Sequence, residues 1–109
     1  MHRMKAERLQ AEFAPRRVPH PDGLLLLRAP DAVALVNRAA EEGVPILGVD
    51  GFVITPASTE SPIEHIADYS SAVAQGHGCW EDAESFIRER AGSGMVFELT
   101  LGDDPVAAV

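Results

Sequence analysis

The residue with the sharpest potential for covalent chemistry is Cys79, the only thiol in the chain. It lies in the run Gly76-His77-Gly78-Cys79-Trp80, a glycine-rich turn that leads into a helical pattern. A helix dipole favours the thiolate form of a cysteine at this position, and His77 could act as its base. The sequence therefore allows a thiol-dependent enzyme or ligand-binding protein centred on Cys79 and His77. A cysteine that only caps the helix or packs in the core is the favoured alternative.

Four carboxylates are candidates for binding. Asp50 lies within an otherwise apolar run, where a carboxylate is costly to bury without partners. It is either an exposed turn residue or a residue at the carboxyl end of a strand, where sites on α/β sheets gather. Glu81, Asp82 and Glu84 lie near the start of a helix, where they could bind a basic group or only compensate the helix dipole. Their charges also oppose ionisation of the nearby Cys79 thiol.

Metal and cofactor chemistry have little support in the sequence. His65, Asp68, His77 and Cys79 have the atom types of metal ligands, but their spacing matches no established ligand pattern. The run Gly48-Val-Asp-Gly51 lacks the third glycine and the Lys-Ser/Thr pair of phosphate-binding loops. We therefore expect no metal and no cofactor.

Length and composition indicate one ordinary globular domain. The chain has 109 residues, of which 46% are hydrophobic and 24% charged. No apolar run approaches the length of a membrane span, and no secretory signal is evident, so a cytoplasmic location is the expectation. The single cysteine excludes an intrachain disulfide.

Charge is distributed unevenly along the chain. The net charge is -8, yet five of the nine basic residues lie within the first seventeen positions. From Val18 onward, the chain has fifteen acidic residues and only four arginines. Such a surface repels nucleic acid and would attract a basic partner protein, although solubility alone also explains it. We therefore expect neither nucleic acid nor membrane as a partner of the acidic body.

The elements that must position these side chains follow from hydrophobic periodicity. Residues 1–22 are predicted to form a basic arm outside the core, with a short, weak helix over residues 1–14 that ends at Pro15. The globular core spans residues 23–102, and residues 103–109 form a tail. The arm could contact a partner or be no more than a mobile terminus.

The first half of the core predicts a strand, a helix and a second strand. Residues 24–28 form a continuous apolar run, which is typical of a strand covered on both faces. An apolar stripe over residues 31–42 predicts a helix, and Gly43 supplies its stop. The short connections indicate a right-handed crossover with two parallel strands.

The most strand-like run is Gly43 to Thr55, and it allows two backbone paths. Asp50-Gly51 between two apolar runs is the signal for a tight hairpin. Alternatively the run is one long strand, with Gly48 or Gly51 marking a bulge or a close backbone approach. The single strand is favoured because the two hairpin arms would be very short.

The second half predicts two helices and a strand. A capping box from Ser61 to Glu64 begins a helix that continues to about Ala74. A further amphipathic helix covers residues 80–91, and the alternating run 95–101 forms an antiparallel or edge strand. The resulting fold class is α+β, a small mixed sheet of three to four strands packed against two to three helices.

One family resemblance lies in the central run and the helix after the glycine-rich turn. Gly43-Val-Pro-Ile-Leu-Gly-Val-Asp50 follows an alanine-rich helix, and the later helix has the pattern Trp80-x-x-Ala83-x-x-Phe86-Ile87. About half of the chain thereby resembles small immunity proteins of bacterial polymorphic-toxin systems. The resemblance implies a non-enzymatic protein that binds and blocks a basic toxin domain.

Three functions follow as hypotheses. The first is a non-enzymatic protein-binding module of this immunity-like kind, which uses its acidic surface. The second is the small thiol-dependent enzyme or ligand-binding protein described above. The third is a homo-oligomeric structural subunit.

Overall fold

The computed structural model describes residues 5–21, 23–54, 59–60, 65–92 and 94–102. Helices pack against one sheet, so the α+β fold class is confirmed. The helices are α1 (Lys5–Phe13), α2 (Ala29–Glu42), α3 (Ser70–Ala74) and α4 (Trp80–Arg90). The strands are β1 (Leu27–Arg28), β2 (Ile46–Ile54), β3 (Thr59–Glu60), β4 (Ile66–Asp68) and β5 (Met95–Leu101).

The sheet is antiparallel where we predicted a mixed one. Its strand order is β1-β5-β2-β3, and β4 also pairs with β2. Because β1 and β2 are each antiparallel to β5, they run in the same direction, as the crossover predicts. They are not neighbours, however, because β5 lies between them. The alternating pattern of β5 correctly indicated an antiparallel strand, but the edge position was wrong, since β5 pairs on both sides.

Strand β2 passes through Asp50 and Gly51 without turning. Asp50 pairs with Glu98 and Gly51 pairs with Phe97, so the hairpin alternative is wrong and the single long strand is confirmed. The register shifts between Ile46 and Gly48, which places the irregularity at the first glycine. A Cβ atom at Gly48 would lie 2.9 Å from the carbonyl oxygen of Ala67. Gly48 therefore permits the close approach of β4 to β2.

Helix α2 covers one face of the sheet and meets the predicted bounds closely. It ends at Gly43, whose φ of 73° is the left-handed conformation that glycine adopts most readily. Its buried stripe joins one hydrophobic core with residues of α4, β2 and β5. The stripe consists of Ala32, Val33, Leu35, Val36 and Ala39. None of the described helices combines the length and the apolar character that crossing a membrane demands.

The prediction that residues 1–22 lie outside the core is wrong for α1. Ala6, Leu9 and Phe13 are buried and belong to the same core as α2. The guanidinium of Arg38 on α2 also bonds the Glu12 carboxylate, with Nε 3.0 Å from Oε2. With only 9 residues, α1 is too short to be stable alone, so it is held by tertiary packing, which supplies most helical stability in proteins.

The predicted helix over residues 61–74 is wrong in its middle. Ile66 to Asp68 form β4, which pairs with β2, and the helix begins only at Ser70. The Asp68 carboxylate accepts a hydrogen bond from the Ser70 amide at 2.9 Å. This local hydrogen bond gives the backbone at Asp68 an alternative to a helical turn. The edge of β2 provides the backbone groups with which residues 66–68 pair as a strand. The proposed capping box at residues 61–64 and the tail at 103–109 lie outside the described residues.

Candidate functional site

The two faces of the sheet differ sharply in their environment. Side chains alternate along a strand, so Val49, Phe97 and Leu99 face the core that α1, α2 and α4 cover. By the same alternation Asp50 and Glu98 point to the opposite face. We call the half of this face formed by Asp50, Ile66, Asp68, Glu98 and Thr100 the acidic sheet face.

Asp50 and Glu98 form the central pair of the acidic sheet face. They are direct partners across β2 and β5, and both are half-buried. Like charges opposite one another destabilise a strand pair. Burial, and then the charge of Asp50, raise the pKa of Glu98. Within the described parts of the chain, neither carboxylate has a hydrogen-bond or ion-pair partner. Among the described residues, this pair of acids is therefore uncompensated.

Glu98→Gln is expected to stabilise the free protein at neutral pH, by less than about 1 kcal/mol because solvent screens this partly exposed pair. The charge of Glu98 destabilises the folded protein fully above the raised folded-state pKa of this residue. The destabilisation disappears as pH falls toward the pKa of Glu98 in the unfolded chain. Urea unfolding should therefore show the largest gain near pH 7 and almost none near about pH 4.

The exposed Glu7 on α1 supplies the control for Glu98, since Glu7→Gln makes the same charge change away from Asp50. It should not stabilise the protein near pH 7, because it removes an acidic residue from the first turn of α1. A gain from Glu98→Gln that stays constant between about pH 4 and pH 8 would contradict the like-charge account.

A depression of ≈ 310 Å³ lies beside this pair. Gly48, which has no side chain, lies between Asp68 on β4 and Thr100 on β5. Ile66 is 45% exposed, the only exposed large hydrophobic residue of the described chain. Hydrogen bonding from the Ser70 hydroxyl and amide lowers the pKa of Asp68, which keeps that carboxylate ionised. The lining residues are Leu47, Gly48, Asp50, Ile66, Ala67, Asp68, Ser70 and Thr100.

A second depression, of ≈ 520 Å³, surrounds the glycine-rich turn. Its lining includes His77, Cys79, Glu81 and Asp82. Helix α3 contributes a residue to each depression, Ser70 to the first and Ala72 to the second. The structure therefore places Asp50 and the predicted α4 acids in separate depressions.

The described surroundings of Cys79 do not favour its thiolate form. Cys79 has a φ of 65°, and its thiol donates to the backbone oxygen of His77 at 3.8 Å. Burial, and then the charge of Asp82, raise the pKa of the Cys79 thiol. Among the described contacts, none joins the His77 ring to the sulfur. A thiol that stays protonated near neutral pH is a poor nucleophile.

The same turn has a structural task that sequence reasoning missed. The Gly78 carbonyl accepts a hydrogen bond from the Ile46 amide at 2.9 Å. The Trp80 indole Nε1 donates to the Val44 carbonyl at 2.7 Å. Trp80 lies so close over the buried Gly78 that a Cβ there would be 2.3 Å from its ring. Hydrogen bonds from this turn and from Trp80 therefore join the start of α4 to the start of β2.

The three predicted acids of α4 are not equivalent. Glu81 and Asp82 are exposed. Glu84 forms an ion pair with Arg88, with Oε2 2.8 Å from Nε, so its charge is compensated within the helix.

The residues that have the atom types of metal ligands lie apart in the structure. Asp68 belongs to the acidic sheet face, whereas the Cβ of His65 lies over Gly51 toward the core side. The His65 Nδ1 atom is buried without a hydrogen-bond partner in the described chain. Across the described ranges, no group of three or more His, Cys, Asp or Glu side chains could hold a metal ion.

The fold and the site define an acidic α+β protein. Among its described residues, the sheet face opposite the long helices carries carboxylates and the exposed apolar side chain of Ile66. No protein-family model matches the sequence, and the comparison with curated proteins found no match.

Proposed function

We propose that the protein is a non-catalytic protein-binding module whose acidic sheet face binds a basic surface of another protein. The observation that carries the proposal is the uncompensated pair of Asp50 and Glu98. Real sequences depart from locally favourable choices chiefly at functional sites. A cationic group from a partner would relieve the repulsion in this pair on binding.

The charge of the whole chain favours a protein partner of opposite sign. A net charge of -8 steers basic proteins toward the surface and repels nucleic acid phosphates. A symmetric dimer through the same face would bring each patch against its own copy. Asp50 and Glu98 would then meet further carboxylates, so the homo-oligomer is the weaker hypothesis for this face.

The family resemblance supports a more specific version of the proposal, an immunity-like inhibitor of a basic toxin domain. Its two motifs lie in β2 with the turn before it and in α4. The Trp80–Val44 hydrogen bond joins them in space. An acidic face suits this role, since charge complementarity accelerates binding to a basic nuclease cleft and improves specificity.

The products of the genes that flank this one supply the test. Each would be expressed in a bacterial host alone and together with this protein. We expect one flanking product to be toxic and its toxicity to be relieved by co-expression. Purified complex should form, with affinity that falls as salt concentration rises. Absence of both toxicity and binding for every flanking product would contradict the immunity version.

A further inference from the structure

We propose that Ile66 and the depression floored by Gly48 form the anchor of the acidic sheet face, and that the occupant is a partner segment with a basic side chain beside an apolar one. This inference rests on the proposed function, because it names the partner chemistry that the same face would bind. Ile66 lies directly opposite Asp50 in the sheet register, so an apolar surface and a carboxylate adjoin.

The shape of the depression suits a long basic side chain. Gly48 leaves the floor between Asp68 and Thr100 without a side chain. An arginine or lysine stem is apolar while its head is charged, so the stem can lie along Ile66 as the head reaches Asp50. Arginine fits best, because its planar guanidinium can donate to a carboxylate with two N–H groups.

Ile66 supplies the reason for an apolar neighbour in the partner. It remains 45% exposed, opposite Asp50 and on the same strand as Asp68, and its burial would strengthen binding beyond charge attraction. A basic partner without an apolar residue would leave this surface in water. A second copy of this chain would instead bring more carboxylates to the site.

The experiment uses two capped peptides of equal charge, acetyl-Arg-Leu-Arg-Leu-amide and acetyl-Arg-Ser-Arg-Ser-amide. Each is titrated at low salt into the full-length protein. The NMR signals of the Ile66 methyl group and of the Gly48, Ala67, Glu81 and Asp82 amides are followed. We expect the leucine peptide to bind about fivefold more tightly. Ile66→Ser should remove this preference, whereas Asp50→Asn should weaken both peptides.

The outcomes separate this inference from the proposed function. Equal affinity for the two peptides, or shifts centred on Glu81 and Asp82, would overturn the Ile66 anchor and leave an acidic binding surface in place. Failure of both peptides to bind at low salt would contradict the acidic-face proposal itself. The variants remain interpretable because Ile66 and Asp50 lie on the outer face, and unfolding curves would verify that both proteins fold.

Discussion

Gly78→Ala is expected to destabilise the protein by about 2–4 kcal/mol, because overpacking and the loss of a partly buried hydrogen bond act together. The new Cβ would lie 2.3 Å from the Trp80 ring. The ring cannot move away freely, since its Nε1 donates to the Val44 carbonyl at 2.7 Å. Its displacement would leave that carbonyl without its partner and loosen α4 from β2.

The measurement is urea unfolding followed by the fluorescence of Trp80, the only tryptophan. Gly92→Ala is the matched control, since the nearest atom to its new Cβ is the Arg90 carbonyl oxygen at 3.9 Å. The control should stay within about 0.5 kcal/mol of the wild type. If both variants had equal stability, Gly78 would not be the closely packed position described above.

Leu9→Ala is expected to destabilise the protein by about 2–4 kcal/mol, the usual range for a large-to-small change in a core. Leu9 is only 2% exposed and packs in the cluster that contains α2 and the sheet. Such a loss is a large fraction of the stability of a small domain. Thermal or urea unfolding would measure it.

Arg8→Ala provides the control for α1, because Arg8 is exposed on the same helix. We expect a change within about 0.5 kcal/mol. A Leu9→Ala variant as stable as this control would restore the view that residues 1–22 form an arm outside the core.

The sequence predicted those helices and strands for which the hydrophobic periodicity and the terminating residues indicate the same bounds. Helix α2 has an apolar stripe and a glycine stop, and both appear in the structure. Helix α4 ends at Arg90, one residue before the predicted end, and β5 has the predicted bounds. The sequence also favoured one long strand for β2, since a hairpin at Asp50-Gly51 would have had very short arms.

Elements that depend on distant partners could not be predicted in this way. Strand β4 exists because β2 offers it an edge, and three residues carry too little periodicity to reveal it. Helix α1 itself was predicted, but only its packing on α2 shows that Leu9 and Phe13 are core residues.

The candidate site was predictable only in part. Asp50 stood out because a carboxylate in an apolar run is costly to bury. Glu98 was missed, since the alternation of β5 makes it an ordinary outward-facing residue. Their pairing depends on the sheet register, which no local pattern specifies. Gly78 and Trp80 were noticed for the chemistry of Cys79, whereas their contacts with β2 are structural.

The most direct test of the acidic-face account is the dissociation constant of the complex with the flanking-gene product, measured for two charge-matched variants. Asp50→Asn should weaken binding by about tenfold, or ~1.4 kcal/mol, and reduce its salt dependence. Glu7→Gln, which removes one exposed charge on α1, should leave the constant nearly unchanged. Equal constants for the two variants would contradict the claim that the acidic sheet face is the binding surface.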